Sequence, residues 1–574
     1  MRTELVSPLC IAIHSQTGVG SPGQVTATNT AANLTVAKCP GFARLRRMRD
    51  TYTAPVPRTG PRLLDYLAAA QPDHEAVVDG ATRWSYADLR LQAQTVAAGL
   101  AAMGVQSGDR VAILAGNRAE WIAVYFGIQG VGAVTVALNT WLTALEIAYQ
   151  LEHAGTSVLV VEPNFRGRDF ASEIKALQAD GRLSKLREII VLDSMGSDAT
   201  RSYSDLMAHA PNSKAWDRAE PHDVCCILYT SGSTAAPKGV PLTQGGVIDN
   251  MWSIGERMAL TPQDRLWFGV SLFWSFGCVN ALFAVMSHGG TLVLQHHFEP
   301  GEALRLIECE RCSVFYGMPN MAIALESHPD RPTRDLSSLR TGATIGTPEQ
   351  IQRIVDLGAH EICNVYGLTE GYGNSAVADC KAPLEQRLNA SGAPLDGVEI
   401  RIVDGESGRV LPQGDIGEIQ IGGRFTPGYW DAPDLTAASL SDDGWFRTGD
   451  LGLLDENGWV RFRGRLKELI KTGGINVSPA EVEEVLLAHP AVASCFVTGL
   501  KDAKLDETVA AVIILNSGFQ TSAEELQAYC RSRIAPYKLP RRWCFTKPEA
   551  LPLTSTGKLQ RNRLSTLFKD PVSG

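Results

Sequence analysis

Paired cysteines are missing from this chain. Its twelve cysteines are scattered, and Cys309-Glu-Arg-Cys312 has no second half, so neither a tetrahedral zinc site nor a disulfide framework is specified. Two buried thiols at a helix–strand junction are expected there instead. The pattern fits a reducing, cytoplasmic setting. A basic excess is missing as well. Lys and Arg number 53 against 62 Asp and Glu, giving a net charge of −9 and a pI near 5.7, which argues against a general nucleic-acid binder. Nor is there a clean membrane-length apolar run. Leu266 to Phe298 contains no Asp, Glu, Lys or Arg, yet Gly269, Ser271, Ser275, Gly277, Asn280, Ser287, His288, Gly289 and Gly290 interrupt it. It reads as a buried strand, a core helix of about ten residues, a Gly-Gly turn and a second strand, Thr291 to Leu294. No internal repeat and no carrier-protein module is visible.

At 574 residues the chain exceeds what one hydrophobic core supports, so two or more domains are expected. Residues 1–50 stand apart: rich in Ser, Thr, Ala and Gly, they hold one acid before Asp50, Glu4, and end in Arg44, Arg46, Arg47 and Arg49. They read as an extension outside the folded domains or a start assigned upstream of Met48, and an organelle-targeting peptide is compatible with the composition. Gly18-Val-Gly-Ser-Pro-Gly23 matches a dinucleotide fingerprint by letter, but no βαβ unit precedes it and Pro22 sits inside it, so it is set aside.

From about Pro61 helix and strand patterns alternate. Arg62 to Ala70, Tyr86 to Met103, Ala119 to Gly132 and Leu142 to His153 read as helices. Arg110 to Ala115, Ala133 to Leu138 and Ser157 to Val161 read as strands without polar alternation, the mark of a sheet buried on both faces. The fold class is therefore α/β with mostly parallel sheets. After Gly392, short strands at Val398 to Val403, Glu418 to Ile421 and Val460 to Arg463 suggest a small β-rich subdomain. The large domain is placed at 51–466. A compact α+β unit follows at 467–574, with a helix from Ser478 to His489 capped by Ser478 and opened by Pro479.

The chemically telling segment is Tyr229-Thr-Ser-Gly-Ser-Thr-Ala-Ala-Pro-Lys-Gly-Val240, which follows the apolar strand Val224 to Leu228. Hydroxyls, glycines and one ammonium on a loop after a strand suit a polyphosphate. It is not a Walker loop, because Pro237 precedes Lys238 and Gly239 follows it. The segment resembles the phosphate-gripping loop of the adenylate-forming superfamily, which includes acyl- and aryl-CoA synthetases. Further motifs of that family follow in order. Asn364-Val-Tyr-Gly-Leu-Thr-Glu370 resembles the adenine and magnesium motif, and Gly444-Trp-Phe-Arg-Thr-Gly-Asp450 the ribose motif. Gly464-Arg-Leu-Lys-Glu468 resembles the interdomain hinge, Lys471-Thr-Gly-Gly-Ile-Asn476 the loop after it, and Pro552-Leu-Thr-Ser-Thr-Gly-Lys558 the segment bearing the catalytic lysine.

The resemblance implies an ATP-dependent acid–CoA ligase using ATP, Mg²⁺ and coenzyme A. Thr230, Ser231, Gly232, Ser233, Thr234 and Lys238 would hold the β- and γ-phosphates. Glu370 would bind Mg²⁺, with Thr369 on the α-phosphate side. Tyr366 would stack on adenine near the backbone of Gly342, Ala343 and Thr344. Asp450 would accept both ribose hydroxyls, with Arg465 adding a donor. Lys558 would bridge the carboxylate and the α-phosphate. Rotation about Lys467 would then replace Lys558 by the Gly473-Gly474 face of a pantetheine tunnel.

Two departures from the family pattern stand out: Ala235 where glycine is usual, and Ser271-Leu-Phe-Trp274 where Pro-Leu-Phe-His is usual. Trp274 would serve as an aromatic gate. Trp274, Ser275, Phe276, Met318, Thr344, Ile345 and Gly371 would line the acyl pocket, which suits a medium-chain fatty or a cyclic or aromatic carboxylic acid. No acid lies between Leu272 and Leu282 to hold an α-ammonium, which disfavours an amino acid substrate. Two other readings use the same motifs: a standalone ligase that loads a carrier-protein thiol, and an inactive ligand-binding homologue.

Overall fold

The computed structural model describes residues 52–192, 200–230, 237–472, 475–502, 505–531, 533–534, 536–553 and 559–568. The expectations for residues 1–50 lie outside these. Strands Arg110–Leu114, Val134–Ala137, Thr156–Val161 and Glu188–Val191 pair in parallel, and Val224–Thr230 joins them beside Val134–Ala137. They are buried on both faces, which is why they read as unbroken apolar runs. Helices Tyr86–Ala102 and Ala144–Ala154 each open with a capping box, Ser85 with Asp88 and Thr143 with Glu146. Helix Ala119–Gly130 is buried on every side, as an apolar helix without a polar stripe must be.

A second sheet contains six consecutive parallel strands in the order Glu361–Tyr366, Thr341–Thr344, Val314–Tyr316, Arg265–Phe268, Thr291–Leu294 and Glu75–Asp79. The charge-free stretch falls here as expected, as strand, helix, Gly-Gly turn and strand, with one difference. The helix begins as a π-helical turn, Ser275–Ala281, before becoming α-helical at Leu282–Ser287. Apolar spacing over seven residues does not separate the two windings.

The sheets meet through Asn117, just beyond strand Arg110–Leu114. Its Nδ2 donates to the carbonyls of Phe268, Val270 and Gln295 at 3.3, 2.8 and 3.1 Å. Its Oδ1 accepts from the Leu272 amide at 2.8 Å, and its own amide donates to the His296 carbonyl at 2.9 Å. One buried side chain thus gathers the carboxyl ends of strands from both sheets and fixes the start of the segment leading to Trp274.

The expected β-rich subdomain is a four-stranded antiparallel sheet, Val398–Val403, Gly417–Gly423, Phe446–Leu454 and Val460–Arg465. The third of these strands carries the ribose-like motif and was not anticipated as a strand. The C-terminal unit is built on the hairpin Val492–Asp502 with Asp506–Leu515, flanked by Ile470–Thr472 and, in parallel, Arg542–Phe545.

Two expectations need correction. Ser478 occupies the N-cap position of helix Pro479–Leu487 as expected, but its side chain accepts no capping hydrogen bond; its hydroxyl donates to the Arg463 carbonyl at 2.8 Å and ties the helix to the preceding sheet. Of the Cys309 and Cys312 pair only Cys312 is buried; Cys309 ends helix Pro300–Cys309 on its solvent side. No helix among the described residues is long and apolar enough to cross a membrane.

The Asn117 junction yields a stability test. Asn117→Ala strands the Leu272 amide and leaves the Phe268, Val270 and Gln295 carbonyls of the second sheet without this donor, so the large domain is expected to lose about 2–4 kcal/mol. Urea unfolding followed by tryptophan fluorescence reads this as a lower midpoint with unchanged slope; a shift within error of wild type would contradict the role.

Candidate active site

The hydroxyl-rich segment turns out to join a hairpin. Val224–Thr230 and Lys238–Thr243 run antiparallel, with Thr230 opposite Lys238. Ser231, Gly232, Ser233 and Thr234 lie outside the described residues, but both feet of their loop are fixed. The Tyr149 hydroxyl donates to the Pro237 carbonyl at 3.2 Å, and the Tyr229 hydroxyl meets His153 Nδ1 at 2.8 Å. Lys238 Nζ sits 5.2 Å from the centre of the Tyr429 ring, a cation–π contact.

Tyr429 also serves Glu370. Its hydroxyl donates to Glu370 Oε1 at 2.8 Å. Thr426 completes the brace: its amide donates to the Glu370 carbonyl at 2.6 Å and its hydroxyl to the Pro241 carbonyl at 2.7 Å. Glu370, 9% exposed, is thereby joined to the hairpin that carries Lys238. Thr369 and Gly371 share its single 3₁₀ turn, and Ser275 Oγ lies 3.4 Å from Thr369 Oγ1. That contact sets the Trp274–Phe276 segment beside the Thr369 hydroxyl.

Asp450 is 1% exposed. Its Oδ2 accepts from the Tyr366 hydroxyl at 2.9 Å. Arg465 Nε approaches Oδ1 to 2.8 Å as an ion pair, yet its N–H points off-line, and among the described residues Oδ1 has no aligned hydrogen bond. Burial pushes the Asp450 carboxyl up from 3.8 to about 6; Arg465 and the Tyr366 hydrogen bond offset part of that push, while the Glu370 and Glu468 charges add to it. A buried carboxylate oxygen short of a donor suits a ligand that brings hydroxyls.

Gly342 lies in strand Thr341–Thr344 with a φ of +152°, and a Cβ there would stand 1.8 Å from the Phe315 carbonyl oxygen. Only glycine lets this strand approach its neighbour so closely. Ala343 and Thr344 follow it, both buried. Tyr366 differs from the expected open stacking platform. Its ring is 2% exposed, its hydroxyl is spent on Asp450, and the ring face lies 6.1 Å from that of Phe462. Phe462 is 43% exposed and presents the accessible aromatic surface at this place.

Among the acyl-pocket candidates, Trp274 is held edge-on by Trp141 at 5.0 Å and by Phe273 at 5.5 Å between ring centres. Phe276 packs on Tyr316 at 4.5 Å. Met318 precedes helix Pro319–Glu326, and Ile345 is exposed just beyond strand Thr341–Thr344. Lys467 lies in the one-turn helix Leu466–Glu468 that leads into the C-terminal unit. Gly473, Gly474 and Lys558 lie outside the described residues. Next to Lys558, Leu553 pairs with Leu559, and Arg561 grips Glu483 with two hydrogen bonds of 2.6 and 3.0 Å.

The structure thus brings Thr230, Lys238, Thr369, Glu370 and Asp450 to one region, together with residues that motif reading missed: Tyr429, Thr426 and Phe462. The available signal was a Pro-Gly-Tyr-Trp run, 427 to 430, in a polar connecting segment, and a lone aromatic on a strand next to the hinge.

Comparison with known proteins shows the family to which the chain belongs. Residues 64–430 match the AMP-binding enzyme family, and residues 481–558 match the AMP-binding enzyme C-terminal domain. The chain is 34% identical over 507 residues to a feruloyl-CoA synthase of Amycolatopsis sp, covering 87% of this chain and 97% of that one. It is 32% identical over 525 residues to the mitochondrial medium-chain acyl-CoA ligase ACSF2 of Danio rerio, covering 86% and 85%. Among solved structures, ATP-bound MatB from Rhodopseudomonas palustris superposes with a TM-score of 0.79 at 29% identity, covering 89% of this chain and 99% of that one.

The raised Asp450 carboxyl has a signed consequence. The folded state holds this proton more tightly than the unfolded chain, so ionised Asp450 costs stability in full above about pH 6, and the cost is lost as pH falls towards 3.8. Asp450→Asn removes the titration. Its stability relative to wild type is expected to fall by about 1 kcal/mol between about pH 7.5 and about pH 5. Urea midpoints of both proteins at each pH check this; a difference that does not vary with pH would contradict it.

Proposed function

Because the chain belongs to the AMP-binding enzyme family and carries that family's C-terminal domain, we propose that it is an acid–CoA ligase working in two half-reactions. In the first, a substrate carboxylate oxygen attacks the α-phosphorus of ATP, the bond to the β-phosphate bridging oxygen breaks, and acyl-adenylate and pyrophosphate form. In the second, CoA thiolate attacks the acyl carbonyl carbon and AMP leaves, giving the thioester. Both nucleophile and nucleotide are anionic in the first step, so it needs charge neutralisation and alignment more than proton transfer.

The observation that supports this reading best is the buried Asp450 carboxylate with one oxygen held by Tyr366 and the other lacking an aligned donor among the described residues. A ribose diol supplies donors to such an oxygen. In this reading the exposed face of Phe462, backed by Tyr366, and the Gly342–Thr344 strand receive adenine, and Arg465 adds a donor near the ribose. Thr230, Lys238 and the Ser231–Thr234 loop hold the β- and γ-phosphates. Thr369 addresses the α-phosphate.

Among the described residues no three His, Cys, Asp or Glu side chains gather into a metal cage. Glu370, close to the phosphate hairpin, fits Mg²⁺, which takes few protein carboxylates and keeps phosphate and water oxygens. Bound there, the ion would neutralise phosphate charge. Tyr429 orients the Glu370 carboxylate by its hydrogen bond and stands under Lys238. Lys558 would bridge carboxylate and α-phosphate, and Lys467 would be the hinge that exchanges it for Gly473 and Gly474 in the second half-reaction. For the acid, the aromatic lining at Trp274 and Phe276, with Met318, Ile345 and Gly371, supports a medium-chain fatty or a cyclic or aromatic carboxylate. The names of the similar feruloyl-CoA synthase and medium-chain ligase point to the same range.

ATP–pyrophosphate exchange across a panel of carboxylic acids tests this. Acid-dependent exchange is expected, falling about 10²–10³-fold in Lys558→Ala and in Glu370→Gln. Added CoA should release AMP and a thioester. Exchange without thioester, restored by a holo-carrier protein, would move the acceptor to the carrier; absence of exchange from folded protein would contradict the ligase reading.

A further inference from the structure

The acyl pocket ends on a layer that does not continue as apolar tunnel. Ser275 is fixed beside Thr369 by the 3.4 Å contact of their hydroxyls, and Phe276 is the next residue of the same π-helical turn. Its ring packs on Tyr316 at 4.5 Å, with the ring planes tilted by 57°. Tyr316 ends strand Val314–Tyr316, in register with Ala343, so it stands at the carboxyl edge of the same sheet that carries Gly342 to Thr344.

Behind this ring pair lies a group of buried polar side chains, four of them linked by hydrogen bonds. The Tyr316 hydroxyl accepts from Asn374 Nδ2 at 3.0 Å. The Asn374 carbonyl accepts from Asn250 Nδ2 at 2.8 Å, and Asn250 Oδ1 accepts from Arg424 at 3.3 Å. Asn280 lies four residues beyond Phe276 on the π-helical turn, hence on the same face, and its Nδ2 donates to the Tyr372 carbonyl at 3.0 Å. Tyr316, Asn250, Asn280, Asn374 and Arg424 are all buried. Among the described residues, Asn280 Oδ1 has no hydrogen-bond partner. Gly373 borders Asn280: with a φ of +89° and a would-be Cβ 2.2 Å from Asn280 Oδ1, it leaves no room for a larger residue at that position. A long alkyl chain could pass only by separating groups that hold one another out of water, where an unpaired polar group is costly.

We infer that Phe276 resting on Tyr316, over the Asn280–Asn374 layer, is the floor of the acyl pocket, and that the acid is compact: a short or branched chain, or a single ring, rather than a long-chain fatty acid. Tyr316 acts as a specificity-determining residue by holding Phe276. This inference rests on the ligase reading above and adds a length limit and a cause for it.

Acid-dependent ATP–pyrophosphate exchange with a series from butanoate to hexadecanoate, plus benzoate, tests it on the full chain. In wild type, kcat/KM is expected to drop at least ~tenfold between octanoate and dodecanoate, with benzoate among the accepted acids. Phe276→Ala should shift the optimum to longer acids. Because the space opened is bordered by Asn280 Oδ1 and the Tyr316 hydroxyl, this variant should also favour an ω-hydroxy acid about tenfold over the alkyl acid of equal length, a preference an apolar floor would reverse. Phe276→Leu, a milder truncation, should move the length profile the same way by less, and guards against a folding defect in the alanine variant. Hexadecanoate used as well as octanoate by wild type, or a length profile unmoved in folded Phe276 variants, would overturn the floor. Exchange with no acid at all would overturn the ligase reading beneath it.

Discussion

The site depends first on one carboxamide. Asn117 spends its whole hydrogen-bonding capacity at the line where two parallel-cored sheets meet, bonding to three carbonyls and two amide or carbonyl partners drawn from segments more than 150 residues away in sequence, Leu272 among them. Carboxyl ends of parallel strands are where α/β folds place their functional loops. By fixing those ends to each other, Asn117 fixes the origin of the segment that runs through Phe273 and Trp274 to Ser275. From there the contact with Thr369 carries the constraint to Glu370, and Tyr429 and Thr426 carry it on to the phosphate hairpin. The chain of contacts is short, and every link is a hydrogen bond or a packed ring, so in the proposed ligase a small slip between the sheets would misplace both acid and nucleotide.

A second constraint is electrostatic. Asp450 and Glu370 are nearly buried; burial raises the cost of ionising Asp450, and the charges of Glu370 and Glu468 add to it. The free protein meets this with tyrosine hydroxyls, Tyr366 on Asp450 and Tyr429 on Glu370, and with Arg465. Hydroxyl donors are neutral, so they soften the desolvation without cancelling the negative charge. The remaining field is suited to ligand donors and to a divalent cation, and it disfavours a bare triphosphate. Stability is thereby given up where binding needs an acceptor waiting for its donor, a common arrangement at functional sites.

Much of the fold was legible because burial on both faces leaves a plain signature. Val111 to Leu114 and Val158 to Val161 are unbroken apolar runs, and the intervening helices carry capping boxes at Ser85 and Thr143 that mark their starts. What escaped depends on contacts distant in sequence. Ser478 stands at the N-cap position, yet its hydroxyl is turned to donate to the Arg463 carbonyl and accepts no capping bond, and nothing local announces that orientation. Tyr366 sits in a motif that suggests an open ring, yet the fold turns its hydroxyl to Asp450, 84 residues away. The strand Phe446–Leu454 hides its character behind Thr448, Gly449 and Asp450 because it must both pair and present a carboxylate. Glu370 and Asp450 were legible as chemistry; their tyrosine partners were not, since Tyr429 lies 59 residues from Glu370 and belongs to no hydroxyl-rich pattern.

The acyl pocket shows why an apolar lining does not by itself define an apolar, open-ended specificity. Its inner surface, Trp274, Phe276 and Met318, reads as a receptacle for hydrocarbon. Its support does not. A floor resting on hydrocarbon could yield by rotamer changes, since apolar contacts have no preferred direction and lose little when they slide. A floor resting on Tyr316, itself anchored to Asn374 and through it to Asn250 and Arg424, yields only if directional bonds break together. The same rigidity serves the chemistry. Phe276 and Ser275 are adjacent, so a floor that gave way would move the hydroxyl beside Thr369 and with it the carboxylate that must lie in line with the α-phosphorus. Holding the acid's tail and aligning its head are, through two neighbouring residues of one π-helical turn, a single mechanical task.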